Sequence, residues 1–282
     1  MKRKIDLTIG MPVFNGEKTI QDALDCLLSQ TFSNFKIIVS DNCSNDQSLA
    51  ILKENAEKDK RIEIFQQPNN IGGKKNFEFV LQKAETEFFM WAAVDDKLKP
   101  DFIEKNIAVL MKNDQIVCSV SRVKMAGFEY LSHLEQGTRA IMGEAKDKVR
   151  RFLENPGLNS RFYGIFKTDC LKRSYLNFPD YAFDWSVMLE TLKYGDHYEL
   201  ESEETLLVRG SKGVSQSLLC RQMRKTRQPF LFKVFPLLEF SIFTVKRLNL
   251  ALDLIALWYL LRLNWGFTKK LLMDFLRLLR DK

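Results

Sequence analysis

The segment FKIIVSDNCSNDQSLAILKENAEK, residues Phe35–Lys58, changes character twice within a short span. Its opening, FKIIVS, is rich in aromatic and β-branched side chains, which suit a strand. The cluster of Asp, Asn and Ser that follows is turn chemistry. Beyond it the apolar residues recur at helical spacing, with Asn45 or Asp46 available as a cap. Strand, polar loop and helix in that order are the repeating unit of a parallel α/β sheet.

The unit recurs on both sides. Upstream, IDLTIGMPVF reads as a strand, and GEKTIQDALDCLLSQ as an amphipathic helix with Ile20, Leu24, Leu27 and Leu28 on one face. Downstream come a strand RIEIFQQ, a helix KKNFEFVLQKA, a strand EFFMWAAV and a helix KPDFIEKNIAVLMKN with Pro100 near its first turn. From Gln115 to Leu207 the pattern is less regular. A strand-like IVCSVSRVKMAGF precedes a helix near Asp147–Asn155, and YAFDWSVMLETLKYG reads as a helix ending at Gly195. The expected fold class is α/β with a mostly parallel central sheet.

The 282 residues, 45% of them hydrophobic, allow a sizeable core. Five cysteines, scattered and odd in number, argue for a reducing compartment and against a disulfide framework. Two histidines make a zinc site a poor reading, and both His133 and His197 are expected at the surface. Asp6 interrupts the first apolar run, so MKRKIDLTIG is a poor signal peptide. The net charge of +7 is uneven: residues 220–282 hold 13 basic and 4 acidic residues, whereas residues 1–219 are close to neutral. That distribution disfavours a nucleic-acid footprint across the whole protein.

The basic tail has a pattern of its own. PFLFKVFPLLEFSIFTVKRL, NLALDLIALWYLLRL and FTKKLLMDFLRLLRDK are strongly apolar, yet Lys233, Glu239, Asp253 and Arg262 interrupt them before a spanning length is reached. Basic amphipathic helices of this kind lie in an anionic membrane interface. The alternative is a helical subdomain packed on the core or on a second copy, as in a homo-oligomer. The expected division is a catalytic domain at 1–219 and a helical tail at 220–282.

Four polar segments fall at the carboxyl ends of the expected strands, the edge where open α/β sheets bind ligands. They are PVFNGE (Pro12–Glu17), SDNCSND (Ser40–Asp46), PNNIGGKKN (Pro68–Asn76) and VDD (Val94–Asp96). Asp41 can accept a base N–H and Phe14 can stack on that base. Gly72 and Gly73 permit close backbone approach, and Lys74 or Lys75 can meet phosphate oxygens. No G-x-G-x-x-G or G-x-x-x-x-G-K-[ST] is present, which disfavours a dinucleotide fold and a P-loop. The adjacent carboxylates Asp95 and Asp96 repel one another unless a divalent cation, Mn2+ or Mg2+, neutralises both. Alternatively, Asp96 or Asp101 caps the next helix.

With these motifs in this order, the chain resembles the inverting family 2 glycosyltransferases, whose GT-A fold is a nucleotide-sugar-binding α/β sandwich. The resemblance covers roughly residues 5–215. It implies that Pro12 and Phe14 line the base pocket and that Asp41 holds the base. Asn15, Glu17, Asn42 and Asn70 would frame the donor, with Gly72, Lys75, Asn76, Asp95 and Arg209 or Lys212 around its diphosphate. Asp95 and Asp96 match the metal-binding carboxylates, although Ala93 stands where the fuller motif carries an earlier Asp. Asp184, in FPDYAFDWSVMLE, matches the catalytic base, with Asp180 in reserve; as a first-turn charge it also suits the helix dipole. RFYGIFKTD (Arg161–Asp169) matches the segment beneath the acceptor, with Tyr163, Gly164 and Trp185 on the acceptor side.

The expected function is therefore transfer of a sugar from a nucleoside diphosphate to a hydroxyl of a glycan or lipid-linked acceptor. The expected location is cytoplasmic, peripheral at the cytoplasmic face of the membrane. Two other readings are a nucleotidyltransferase and a degenerate membrane-associated protein that binds nucleotide sugar or a partner without turnover.

Overall fold

The structure, a computed structural model, describes residues 6–125, 137–175, 178–179, 181–200, 207–209, 231 and 234–280. The first hundred residues build the expected alternation: β1 (Leu7–Val13), α1 (Ile20–Leu28), β2 (Phe35–Asp41), α2 (Ser48–Lys58), β3 (Ile62–Gln66), α3 (Gly73–Gln82) and β4 (Phe88–Trp91). After a short β5 (Lys97–Leu98) follow α4 (Phe102–Lys112), β6 (Ile116–Val120) and β7 (Val123–Met125). The next elements are α5 (Ala145–Glu154), a 3-10 turn (Ser160–Tyr163), β8 (Ile165–Lys167) and α6 (Thr168–Ser174). Then come α7 (Phe183–Thr191), β9 (Asp196–Glu199), β10 (Leu207–Arg209), α8 (Leu238–Leu248) and α9 (Leu254–Arg280).

Seven strands form the main sheet in the order β3-β2-β1-β4-β8-β6-β9. The first four are mutually parallel, and β8 enters antiparallel between β4 and β6. The alternation along β4 shows how the two faces fill. Phe88, Met90 and Ala92 join one core layer with α1 and α4, while Phe89 and Trp91 join the other with α3, α5 and α7. Both faces are covered, so the strands read as continuous apolar runs. Gly10 marks the tightest point of the second layer. A Cβ there would lie 2.6 Å from Phe89 Cζ and 2.8 Å from Val80 Cγ2, so only glycine lets α3 settle on β1.

Several expectations change. IVCSVSRVKMAGF is two strands in different sheets, because the chain leaves β6 at Ser121 and β7 pairs with β10. The last two tail segments are one continuous helix, α9, of 27 residues. The described part of the tail packs inward: Leu237, Phe240 and Leu250, with Ala256 and Leu260 of α9, belong to the same buried layer as Trp91. Arg150 of α5 clasps Asp253 through Nε and Nη2 at 3.0–3.1 Å, and Asn264 Nδ2 donates to Ser241 Oγ at 2.7 Å.

His197 is not a surface residue. The sheet edge at β9 is covered by the 137–141 segment, where Ile141 pairs with His197, leaving the ring 1% exposed. His133 lies outside the described residues. The His197 Nε2 partner is Thr191 Oγ1 at 2.9 Å, and its Nδ1 has no partner among the described residues. Burial holds the His197 pKa well below the ordinary histidine range, and the cations of Arg161 and Lys148 push the same way. The unfolded chain therefore takes up a proton near pH 6.5 that the folded chain refuses. This contribution to stability is complete above about pH 6.5 and is lost as the pH falls below it, by up to about 1.4 kcal/mol per pH unit. Denaturant unfolding measured from about pH 7 to pH 5 should show that slope, and His197→Gln should flatten it. An equal slope in the variant would assign the acid sensitivity to other groups.

Candidate active site

The loops after β1 and β2 are laced together before any ligand arrives. The Asn15 N–H donates to Ser44 Oγ, and the Asn45 N–H donates to Asn15 Oδ1, both at 3.0 Å. Glu17 and Asp46 exchange the same kind of bond: the Glu17 N–H meets Asp46 Oδ2, and the Gln47 N–H meets Glu17 Oε2, both at 3.1 Å. Asp46 Oδ1 also accepts the Ser48 N–H at 2.9 Å, so it serves the start of α2 as expected. Asn15 adopts φ 54°, a left-handed position that asparagine tolerates better than most residues. Asn15 and Glu17 thus brace the rim, and Phe14 beside them presents a half-exposed ring.

Asp41 ends β2 and is fully buried. Its Oδ2 accepts the Ser44 N–H at 3.2 Å, whereas Oδ1 is buried with no hydrogen-bond partner among the described residues. A buried carboxylate oxygen without a donor is costly, and such an atom at a strand end marks a place for a ligand N–H. The third loop is tied to the second. Asn42 Nδ2 donates to Asn70 Oδ1 at 3.1 Å, and Asn42 Oδ1 accepts the Ile71 N–H at 2.8 Å. Gly72, at φ 85°, turns the chain into α3 with open space where a Cβ would stand. Asn76 is spent inside: it accepts from Ser40 Oγ at 2.6 Å and donates to Ser40 O at 3.0 Å. Lys75 is exposed, whereas Lys74 Nζ is engaged by Phe178 O.

Asp95 and Asp96 diverge. Asp95 is half-buried, while Asp96 is 8% exposed and lines a small cavity with Cys26, Leu98 and Tyr163. Neither caps α4: Asp101 holds that position without a side-chain cap and pairs with Lys105 instead. β10 runs antiparallel to β5 with Val208 opposite Lys97, so the register carries Arg209 toward Asp96. The Arg209 side chain and all of Lys212 and Asp180 lie outside the described residues. Among the described residues no three or more His, Cys, Asp or Glu side chains gather as a metal cage. Of the described residues, Asp95 and Asp96 are the ones a cation here would draw on. That donor set suits a hard ion which completes its shell with phosphate oxygens and water.

Asp184 sits in the first turn of α7 after Ala182 at φ 59°. Asn159 Nδ2 donates to its Oδ2 at 2.9 Å, a contact with no sequence motif beyond an asparagine in the turn-rich NPGLNS. Asn159 itself is left-handed, at φ 51°. Aromatic rings hold this helix start against α3: Phe183 meets Phe77 and Phe162 at 6.0 and 5.8 Å between centroids. Tyr175 completes the joint by donating from its hydroxyl to Lys74 O at 2.7 Å. Burial raises its pKa, and the carboxylates of Glu78 and Asp184 add to the rise.

Two residues expected on the acceptor side have packing roles of their own. A Cβ on Gly164 would stand 2.8 Å from Ser119 O, so its small size serves the approach to β6. Trp185 is 9% exposed and packs edge-on against Phe240 and Phe267, at 5.8 and 5.9 Å. It anchors the tail helices. Tyr163 is half-buried and lines the same small cavity as Asp96, between β4 and α1.

Comparisons with known proteins agree with this architecture. An "Uncharacterized glycosyltransferase" of Haemophilus influenzae is 26% identical over 180 residues, spanning 59% of this chain and 72% of that protein. The Staphylococcus aureus poly(ribitol-phosphate) beta-N-acetylglucosaminyltransferase TarS is 31% identical over 123 residues, 43% of this chain but only 21% of that one. The crystal structure of S. aureus TarS 1-349 in complex with UDP-GlcNAc has a TM-score of 0.62 at 20% identity, over 86% of this chain and 73% of that one. The mannosyltransferase PcManGT from Pyrobaculum calidifontis, in complex with GDP-Man and Mn2+, has a TM-score of 0.54 at 16% identity, over 97% and 75%. The family model "Glycosyl transferase family 2" matches residues 8–173, more than half of the chain, so this protein belongs to glycosyl transferase family 2 and has its GT-A fold.

Proposed function

We propose that this glycosyltransferase moves a sugar from a nucleoside diphosphate, with UDP sugars the first to test, onto a hydroxyl of a surface glycan or lipid-linked acceptor, with inversion. Asp41 Oδ1 carries this reading: a buried acceptor with no donor among the described residues, at the edge where the donor loops meet. The base N–H of a nucleotide would satisfy it while Phe14 covers the base. Lys75 and Arg209 would offset charge developing on the diphosphate, and a cation at Asp95 and Asp96 would supply Lewis-acid stabilisation there. Asp184 would take the acceptor hydroxyl proton as that oxygen bonds to the anomeric carbon and the bond to the diphosphate breaks on the opposite side. The Asn159 bond fixes the orientation of that carboxylate.

Release of nucleoside diphosphate from a panel of nucleotide sugars, with and without Mn2+, tests the reading, and the anomeric configuration of the product tests inversion. Silence with every donor would overturn it. Asp41→Ala should weaken nucleotide binding by about 10- to 100-fold, the range for a hydrogen bond to a charged group. Unaltered affinity would move the base elsewhere. Asp184→Asn should leave donor affinity intact and lower turnover by about two to four powers of ten. Lost donor affinity with normal turnover at saturation would make Asp184 a binding residue instead.

The tail is proposed to rest on an anionic membrane at the cytoplasmic face, with the catalytic domain taken as 1–219 and the tail as 220–282. No helix among the described residues is long and apolar enough to cross a membrane. The outer faces of α8 and α9 enclose an apolar groove of about 890 Å³, with Trp258, Leu261 and Trp265 60–68% exposed and Lys246 and Arg262 at its edge. Indole rings beside basic side chains suit the boundary between headgroup and acyl chain. The full chain should sediment with phosphatidylglycerol vesicles and be partly released by salt, and Trp258→Glu/Trp265→Glu should abolish sedimentation. If the double variant still sediments, or if it turns a dimer into a monomer while vesicles are ignored, the groove is no membrane face.

A further inference from the structure

Between α5, α9 and the 137–141 segment lies a cavity of about 490 Å³, and none of the residues lining it belongs to the proposed donor site. Four arginines line it, Arg139, Arg151, Arg161 and Arg262, against one carboxylate, Glu154. Arg161 is the fixed member. It is 2% exposed; its Nε donates to Gly137 O at 2.7 Å and its Nη2 to Arg139 O at 3.2 Å. Its Nη1 is buried with no hydrogen-bond partner among the described residues. Burial pulls its pKa down to about 10, while the Cys118 thiol and the Glu199 carboxylate act the other way. Glu199 Oε1 meanwhile accepts from Thr138 Oγ1 at 2.8 Å.

The other three arginines are no better neutralised. Arg151 Nη1 reaches Met142 O at 3.3 Å, and Arg262 donates to the Glu154 backbone oxygen while lying over the Tyr259 ring. Among the described residues no ion pair joins any of the four to a carboxylate. A buried guanidinium with an unsatisfied nitrogen opposes folding unless an acceptor completes it. Guanidinium groups match tetrahedral oxyanions through paired N–H donors, and several of them around one cavity select phosphate over carboxylate by charge. The cavity also holds more than a bare phosphate, leaving room for organic substituents.

The cavity is joined to the proposed base. Arg161 belongs to the same short turn as Asn159, which holds Asp184, and as Tyr163. Arg262 lines both this cavity and the apolar groove between α8 and α9. We propose that the arginine cavity binds a phosphate group carried by the acceptor substrate. This rests on the transferase reading. Two sources share the chemistry: a phosphodiester of a soluble polymer and the phosphate headgroup of a lipid.

The test uses the full chain with its donor site filled by saturating nucleoside diphosphate. Inorganic phosphate, glycerophosphoglycerol and phosphatidylglycerol vesicles are titrated against wild type, Arg139→Ala/Arg151→Ala and Arg161→Lys. The first variant alters exposed side chains, so it keeps the test alive if the buried substitution fails to fold. Saturable binding of a phosphate probe that weakens at least tenfold in Arg139→Ala/Arg151→Ala is expected. Weakening for glycerophosphoglycerol alone identifies the polymer source; weakening for vesicles, with no competition from glycerophosphoglycerol, identifies the lipid headgroup. Binding that is unsaturable, or equal in wild type and variant, overturns the proposal. If wild type turns over a nucleotide sugar but binds no phosphate probe, this inference falls alone. If the arginines bind phosphate while no donor turns over, the transferase reading falls and the anion site stands.

Discussion

The contact on which most of the molecule depends is the stack of Trp91 on Phe162. The rings are 4.2 Å apart and 5° from parallel, and Trp91 has no exposed surface. Trp91 Nε1 donates to Phe77 O at 3.1 Å, which satisfies the one polar atom such a ring brings into a core. Phe77, Phe89, Phe166 and Tyr175 then meet its edges at 5.2–6.2 Å. Three of these rings belong to different functional parts. Phe77 lies on the helix after the glycine loop, Phe162 in the turn that carries Asn159 and Arg161, and Tyr175 on the segment before the proposed base. One indole at the end of β4 therefore sets the distances among the donor loop, Asp184 and the arginine cavity. Rigid placement of that kind is what positioning catalysis requires.

The βα half of the fold was legible because each element there declares itself locally. Ile37, Ile38 and Val39 need no distant partner to be recognised as strand, and Leu24 and Leu27 fall on one helical face. Beyond residue 115 the structure is decided by partners far away in sequence. β8 is three residues long and exists as a strand because β4 and β6 flank it. His197 follows a glycine turn like any surface residue, and its burial depends on a segment more than fifty positions upstream. Trp185 stands next to Asp184 in sequence, but helical geometry sends adjacent side chains in different directions. One faces Asn159 and the other faces the tail.

The site divides the same way. Asp41, Phe14 and Gly72 could be placed at or just after strand ends from the sequence alone, and they stand there. The division of labour between neighbours could not be read. Lys74 and Lys75 are identical in type, yet one is consumed by Phe178 O while the other is exposed. Asp95 and Asp96 separate by burial alone, and that depends on where α1 and Tyr163 pack. Asn159 was invisible because its role is to hold another side chain, and a positive φ leaves no mark beyond the choice of asparagine.

The two core layers also close at different times in the life of the chain. The layer built on β1, α1 and α4 draws its buried residues from Leu7 to Ile165, most of them local. The layer around Trp91 extends to Ala256 and Leu260. During synthesis the first face of the sheet can condense early, while the aromatic face stays open until α8 and α9 have left the ribosome. For that interval Phe178, Tyr181 and Trp185 lack their ring partners Phe243, Phe267 and Phe240 and form a sticky surface. The late helices thus double as the chain's own chaperone, shielding α7, the helix that carries the proposed base, and the segment before it.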